Sequence, residues 1–476
     1  MVQDKAPLWE AVCAYRSKQV LPFHTPGHKL RKDLFPRVVE QLGPGVFELD
    51  PCDEVEDETL EHDFHRALEA AENLAAQLFA ADHTLFLVNG TTSGLHYLLS
   101  LMTGTIVIPR FSHQAVYTGT MLSGSECVYI PVRFDHEWLI PLPPTVDEFL
   151  QAASGKRVTA AVFTNPTYYG TCAELPQLIE AAHSLGAYAF ADEAHGGHFC
   201  FSPRLPMTGL AAGADAVVQS THKNLGSLTQ TSMLHIRGEE LYDLARRARR
   251  VLETTSPSLL LLGVLDEVRR SLAERGRELV EHTVELAEYC SARLEALPGV
   301  QVLPRTLRRD PTKIVFSLRA AGLTGIQLEA LLRRDYNIQV EFSDYYNVIV
   351  LMTLGDTKAG VDRLCSAVED IIGRAKHLGG RPLPLPRFEY PALPPQALPM
   401  GLAVRQRCEN VPLQEAKGRI AGGFVTPYPP GVPVLVPGEV VSAEAADYLQ
   451  WCLQLGWPVR GVEGMTISVI KDNAAR

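Results

Sequence analysis

Between about residues 56 and 270, short apolar runs alternate with amphipathic stretches, and this alternation constrains the fold of the 476-residue chain more than any other feature. Thr84 to Val88, Thr105 to Ile108, Cys127 to Ile130, Val158 to Phe163, Gly186 to Ala191 and Asp215 to Gln219 read as buried strands. Glu61 to Phe79, Leu175 to Leu185 and Glu239 to Leu252 carry helical spacing. Apolar strands of this kind need cover on both faces, which predicts a mostly parallel sheet between layers of helices. Ligands of such sheets bind beyond the carboxyl ends of the strands, so the residues that follow each strand matter most.

Two strand ends carry unusual chemistry. Gly186 to Ala191 runs into Asp192-Glu193-Ala194-His195-Gly196, and Asp215 to Gln219 runs into Ser220-Thr221-His222-Lys223. A lysine amine is protonated and a poor nucleophile at neutral pH. Buried beside a hydroxyl and a second basic group, it suits a Schiff base to an aldehyde cofactor. Asp192, one strand over, suits holding a pyridine nitrogen protonated, and the combination points to pyridoxal 5′-phosphate (PLP). Asn89-Gly90-Thr91-Thr92-Ser93-Gly94 follows a strand and opens a helix, where N–H groups and hydroxyls meet at a positive helix end. Thr91, Thr92 and Ser93 are therefore candidate phosphate ligands, with Ser220 and His222 as further ones. His113, in Arg110-Phe111-Ser112-His113, is placed to stack on the pyridine ring, and Ala194 is small enough to lie under its other face. Each signal is weak alone, since a His-Lys pair is usually solvated surface and a Gly/Thr/Ser turn usually a plain helix cap. Their weight comes from sharing one position, the strand ends. Asp-Glu-Ala-His also occurs in helicase-like boxes, but no Gly-rich loop ending in Gly-Lys-Ser/Thr accompanies it here.

Around this large PLP-binding domain, placed at 56–270, four further segments are expected. Residues 1–55 read as an arm around Pro22-Phe23-His24-Thr25-Pro26-Gly27-His28-Lys29, too rich in Pro and Gly for a helix. Residues 271–377 read as a small α+β domain. Its helix Glu278 to Leu297 leads to a strand at Lys313 to Leu318 and a helix at Gly325 to Arg334; strands at Ile338 to Phe342 and Val348 to Leu354 precede a closing helix from Thr357 to Ala375. A proline-rich linker at 378–400 leads to a C-terminal α+β domain at 401–476. Lys+Arg 44 against Asp+Glu 55, a net charge of −11, argues against a nucleic-acid partner. Nine cysteines without Cys-x-x-Cys spacing suit free thiols in a reducing cytosol better than disulfides or a metal site, and none is expected to bind metal. With no signal peptide or long apolar stretch, the expectation is a cytoplasmic protein with no membrane partner.

Taken together, these residues resemble the Orn/Lys/Arg decarboxylases, fold type I PLP enzymes of the aspartate-aminotransferase kind. The resemblance covers nearly the whole chain. Besides the segments already quoted, it rests on Asn165-Pro166-Thr167-Tyr168-Tyr169-Gly170, Gly226-Ser227-Leu228-Thr229-Gln230, Thr254-Thr255-Ser256-Pro257-Ser258, Tyr428-Pro429-Pro430-Gly431 and Pro437-Gly438-Glu439. The pattern is most similar to the short, biosynthetic bacterial arginine decarboxylases of that family, which belong to polyamine synthesis. The resemblance implies that Lys223 carries the cofactor, Asp192 pairs with its ring nitrogen and His113 stacks on the ring. It also implies a phosphate cup of Thr91, Thr92, Ser93, Ser220 and His222, with Ala194 and His195 completing the cofactor contacts. Either His222 or Lys223 would return a proton to the substrate's Cα. Gln114-Ala115 after His113 depart from the family's usual Lys-Ser, and the connector Thr103-Gly104-Thr105 is shorter than the usual turn. The Pro-Gly-His-Lys motif begins about two dozen residues in, so a homodimer or a dimer of dimers is expected rather than a larger assembly.

The expected substrate is a small basic L-amino acid, arginine first, with lysine and ornithine as alternatives. Its cationic end needs a carboxylate, for which Glu439, Glu341 and Asp344 are candidates. An aminotransferase or aldolase would use the same fold. An aminotransferase would clamp the substrate carboxylate with an arginine, and sequence alone cannot place the small domain's arginines. A non-catalytic PLP-binding regulator would need a DNA-binding domain, for which too few residues precede the Pro-Gly-His-Lys motif.

Overall fold

The computed structural model describes residues 3–53, 63–377, 381–385 and 389–472. Seven strands build the main sheet: β1 (His83–Leu87), β2 (Thr105–Pro109), β3 (Glu126–Ile130), β4 (Val158–Thr164), β5 (Tyr188–Asp192), β6 (Ala216–Gln219) and β7 (Ser232–Ile236). They lie in the order β1-β7-β6-β5-β4-β2-β3. β2 pairs in parallel with β3 and β4, and β5 with β6, while β7 runs antiparallel to both β1 and β6. β2 and β6 are buried end to end and β4 and β5 nearly so, which is why they read as continuous apolar runs rather than alternating ones. Among the described residues no helix is long and apolar enough to cross a membrane.

By its internal contacts the chain divides into two units, Met1–Leu101 with Ala189–His282, and Met102–Tyr188 with Thr283–Arg476. In the first, helix α1 (Phe64–Phe79) starts where the Asp63 carboxylate accepts the N–H groups of His65 and Arg66. The sequence had placed this start at Glu61, which lies outside the described residues. Its buried stripe of Ala67, Ala71, Leu74 and Ala75 recurs at helical spacing. Helix α2 (Gly90–Leu99) packs so closely on the sheet that a Cβ at Gly94 would come within 2.9 Å of both Leu87 Cδ1 and Val218 Cγ1. In the N-terminal arm, helix Pro7–Ser17 is pinned by Asp266, whose Oδ2 accepts the Leu8 N–H at 2.9 Å.

A 37-residue helix, Leu259–Glu295, runs unbroken through position 270, where the sequence suggested a domain boundary and a later helix start. Its first turn, Leu259-Leu260-Leu261-Leu262, is apolar on all sides and hid the helical period.

The second unit holds β2, β3 and β4, two two-stranded ribbons (Arg133–Phe134 with Pro141–Leu142, Thr426–Pro427 with Val459–Arg460) and two larger additional sheets. One is antiparallel, in the order Gln301–Val302, Lys313–Ser317, Val348–Leu351, Phe342–Ser343. It shares a core of Ile314, Phe316, Leu328 and Val368 with the helices Gly325–Tyr336 and Lys358–His377. The strand expected over Ile338 to Phe342 is reduced to Phe342–Ser343. The preceding helix closes on Asn337 in the left-handed region (φ 52°), and the Ile338 N–H still bonds back to Leu332 O. The other sheet, Cys408–Pro412, Thr466–Ile470 and Val462–Glu463, packs with helix Ala443–Gln454 around Leu435, Leu449 and Trp457. Part of the proline-rich stretch, 378–380 and 386–388, lies outside the described residues.

Candidate active site

Three chain segments leave the sheet on one side of the first unit: Asn89 after β1, Glu193 after β5 and Ser220 after β6. Asp192 ends β5 and pairs with Val218, two residues before Ser220, so register alone sets the aspartate beside the Ser220–Lys223 turn. Asp192 is 3% exposed, and its Oδ1 accepts the Ala194 N–H at 3.1 Å. A buried carboxylate held this way is oriented to receive a further donor. Lys223, on the single helical turn Thr221–Asn224, brings its Nζ to 3.1 Å from His195 Nε2. The sequence grouped these two residues without foreseeing their contact.

His222 turns its Nδ1 to the Thr231 carbonyl at 2.8 Å, so Nδ1 carries the proton and Nε2 accepts in the neutral ring. Burial is the main influence on His222 and lowers its pKa; the Thr231 carbonyl opposes this and the Lys223 charge adds to it.

The mouth of α2 suits an anion. Asn89 supplies no side-chain cap, and Gly90 (φ +69°) leaves open space where a Cβ would stand. First-turn N–H groups have no acceptor within their own helix, and the helix dipole favours negative charge at this end. The Thr91 and Ser220 hydroxyls lie 3.4 Å apart at the same place, and Thr92 is half-buried next to them. Ser93 contributes less than expected through its side chain, because its Oγ donates to Gly90 O at 2.9 Å. Its backbone N–H still belongs to the first turn. Amine, buried carboxylate and anion cradle within one unit form a donor set that fits a phosphorylated carbonyl cofactor with a basic ring nitrogen.

The remaining candidates belong to the second unit. His113 is exposed and caps helix Gln114–Ser123, its Nδ1 accepting the Ala115 N–H at 3.1 Å. Glu439 does not have the role expected of it. Its two oxygens take Arg110 Nη1 at 2.7 Å and Arg110 Nη2 at 2.6 Å, and the pair is 1% and 0% exposed. Arg110 also donates to Pro433 O and Val434 O and lies 4.5 Å from the Tyr129 ring centre. Burial is the largest influence and disfavours the Arg110 charge, but the Glu439 carboxylate, with Tyr117 and Tyr390 adding to it, leaves the guanidinium above its ordinary pKa. With its carboxylate filled from inside the protein, Glu439 is a structural counter-ion and not a substrate ligand.

Asp344 is corrected for the same reason. Its Oδ1 accepts the N–H groups of Tyr346 and Asn347, and its Oδ2 accepts Tyr169 Oη–H at 2.8 Å and Asn347 Nδ2–H at 3.0 Å, all in the interior. Glu341 alone keeps capacity for a ligand: it is exposed, with Tyr168 Oη donating to its Oε1 at 3.1 Å. Arg110 was missed as a key residue, although a lone arginine closing an apolar strand marks a charge that must find a buried partner.

Comparison with known proteins finds relatives along the whole chain. The family models for the Orn/Lys/Arg decarboxylase major domain and C-terminal domain match residues 6–308 and 387–463. An arginine decarboxylase of Bacillus subtilis (strain 168) is 34% identical over 490 residues, covering 99% of this chain and 98% of its own. Another from Bacillus anthracis is 34% identical over 482 residues, covering 98% and 97%. The constitutive lysine decarboxylase of E. coli superposes with a TM-score of 0.83 at 19% identity, over 98% of this chain and 82% of its own, which shows a shared fold.

Proposed function

The chain belongs to the Orn/Lys/Arg decarboxylase family, and from that premise we propose that it decarboxylates L-arginine to agmatine with PLP held on Lys223. The observation that carries the reading is the Lys223 amine, 3.1 Å from His195, beside the buried Asp192 and the uncapped mouth of α2. Lys223 would hold the cofactor's aldehyde carbon through Nζ, and Asp192 would keep a proton on its ring nitrogen. The Thr91, Thr92 and Ser93 N–H groups, with the Thr91 and Ser220 hydroxyls and His222, would bind its phosphate; Ala194 would lie under the ring. PLP, when bound, supplies the electron-accepting ring that takes up the electron pair left by the departing carboxylate.

His195 Nε2 is positioned to take a proton from the Lys223 ammonium, which would leave Nζ nucleophilic toward the cofactor's aldehyde carbon. After CO2 leaves, a proton returns to Cα from Lys223 Nζ or from His222. Neutral His222, with its Nδ1–H engaged by Thr231, carries no proton on Nε2, so it would act as donor only after taking one up there. His113, as the ring-stacking residue, and Glu341, as the partner of the substrate's cationic end, remain part of the proposal, as do a cytoplasmic location and assembly as a homodimer or a dimer of dimers.

The choice of arginine over lysine and ornithine is supported by full-length similarity to arginine decarboxylases. Incubating the PLP-loaded protein with each of the three amino acids and identifying the amine tests it. Agmatine and CO2, without a keto-acid co-substrate, are expected. Cadaverine or putrescine as the preferred product would overturn the choice of arginine, and a 2-keto acid as the main product would overturn decarboxylation.

A further inference from the structure

Behind the strand ends of the first unit runs a string of buried polar side chains that the proposed chemistry does not use. Glu193, directly after Asp192, accepts the Gly209 N–H on Oε1 and Gln219 Nε2–H on Oε2, the latter at 2.9 Å. Gln219 Oε1 lies 3.2 Å from His235 Nε2, and His235 Nδ1 lies 2.8 Å from Thr84 Oγ1. Glu193 follows β5, Gln219 ends β6, His235 sits in β7 and Thr84 in β1, so three side-chain bonds tie four neighbouring strands together. All four residues are at most 2% exposed. They lie on the sheet face away from α2: a Cβ at Gly209 would meet Ala191 and Val217 on this face, and the Phe79 ring covers His235 at 4.6 Å.

The direction of the string follows from its donors and acceptors. Gln219 spends its N–H on Glu193, so its carbonyl can only accept, and His235 must donate from Nε2. That leaves His235 Nδ1 to accept the Thr84 hydroxyl proton. Burial pushes the Glu193 carboxyl up to about 8, against the bonds from Gln219 and Gly209, and the His235 imidazole down to about 3. Hydrogen bonds, not an ion pair, therefore hold the string.

We propose that Gln219 is a positioning residue for the cofactor site. Bonding Glu193 on one side and His235 on the other, it fixes the Asp192 strand end against the Ser220–Lys223 turn and, through β7 and β1, against the mouth of α2. Gln219 and Glu193 are each one residue from a proposed cofactor ligand, so a small slip between strands displaces those ligands directly. Apolar contacts across the same faces are non-directional and would tolerate such a slip, whereas a fully satisfied polar network specifies one arrangement. The inference rests on the PLP reading given above.

The test compares wild type with Gln219→Leu and with the apolar triple variant Glu193→Met/Gln219→Leu/His235→Phe, by thermal midpoint and by PLP affinity in equilibrium dialysis. Both variants are expected to bind PLP about ten-fold more weakly or worse, the triple variant while keeping a midpoint close to wild type. Wild-type affinity in the folded triple variant would overturn the proposal. Should the triple variant fail to fold, ¹⁵N NMR of wild-type His235 decides: the Nε2–H tautomer is expected, and the Nδ1–H tautomer would overturn the string. A wild-type protein that bound no PLP would instead sink the functional reading, a result separate from either of these.

Discussion

The Asp192→Asn variant is expected to fold, to bind PLP, and to turn over arginine about 10²–10³-fold more slowly, the scale of losing one preorganised electrostatic partner. Asparagine keeps the Oδ1 acceptor for the Ala194 N–H, so the local geometry should hold. What it loses is the negative charge proposed to keep the ring nitrogen protonated, and the loss should fall on kcat because that charge matters most as electrons enter the ring. The phosphate grip at the mouth of α2 is untouched, so cofactor should remain bound. Steady-state kinetics with cofactor content measured in parallel check this, and turnover near that of wild type would rule out the role given to Asp192.

A second large effect is expected on stability rather than on turnover. Glu439→Gln should cost about 3–5 kcal/mol of stability, because it strands a fully buried Arg110 without its counter-charge. The urea midpoint of unfolding should fall accordingly. Replacing both partners together, Arg110→Met with Glu439→Leu, should recover much of that loss, since no buried charge is left unpaired. A substrate-binding role would show a different pattern, a raised KM for arginine with the midpoint unchanged. That pattern would contradict the structural assignment of Glu439.

The contrast between these two residues shows what the sequence could reveal. The place of Asp192 at a strand end was legible because β5 is a clean apolar run and the aspartate closes it. Strand register then does the rest, as Asp192 pairs beside the Ser220–Lys223 turn. Glu439 misled because its Pro-Gly-Glu turn resembled a family motif while its partner, Arg110, lies 329 positions away in the chain. No local pattern announces so distant a buried pair. β7 escaped notice since Ser232 and His235 interrupt its apolar character, and His235 is there to bond side chains of the strands on either side. Gln219 read as the polar end of a strand, and only the positions of β5 and β7 on either side of β6 give its amide two partners. Local periodicity thus carried the large sheet and the ends of its strands. Bonds between residues far apart in sequence, which fix the buried polar groups, needed the fold itself.

The central claim, that Lys223 carries PLP, can be tested in one measurement. The PLP-loaded protein is reduced with sodium borohydride, digested, and its peptides are sequenced by mass spectrometry. A single pyridoxyl adduct on Lys223 Nζ is predicted, with loss of the yellow absorption band; an adduct on any other lysine, or no adduct at all, would contradict it.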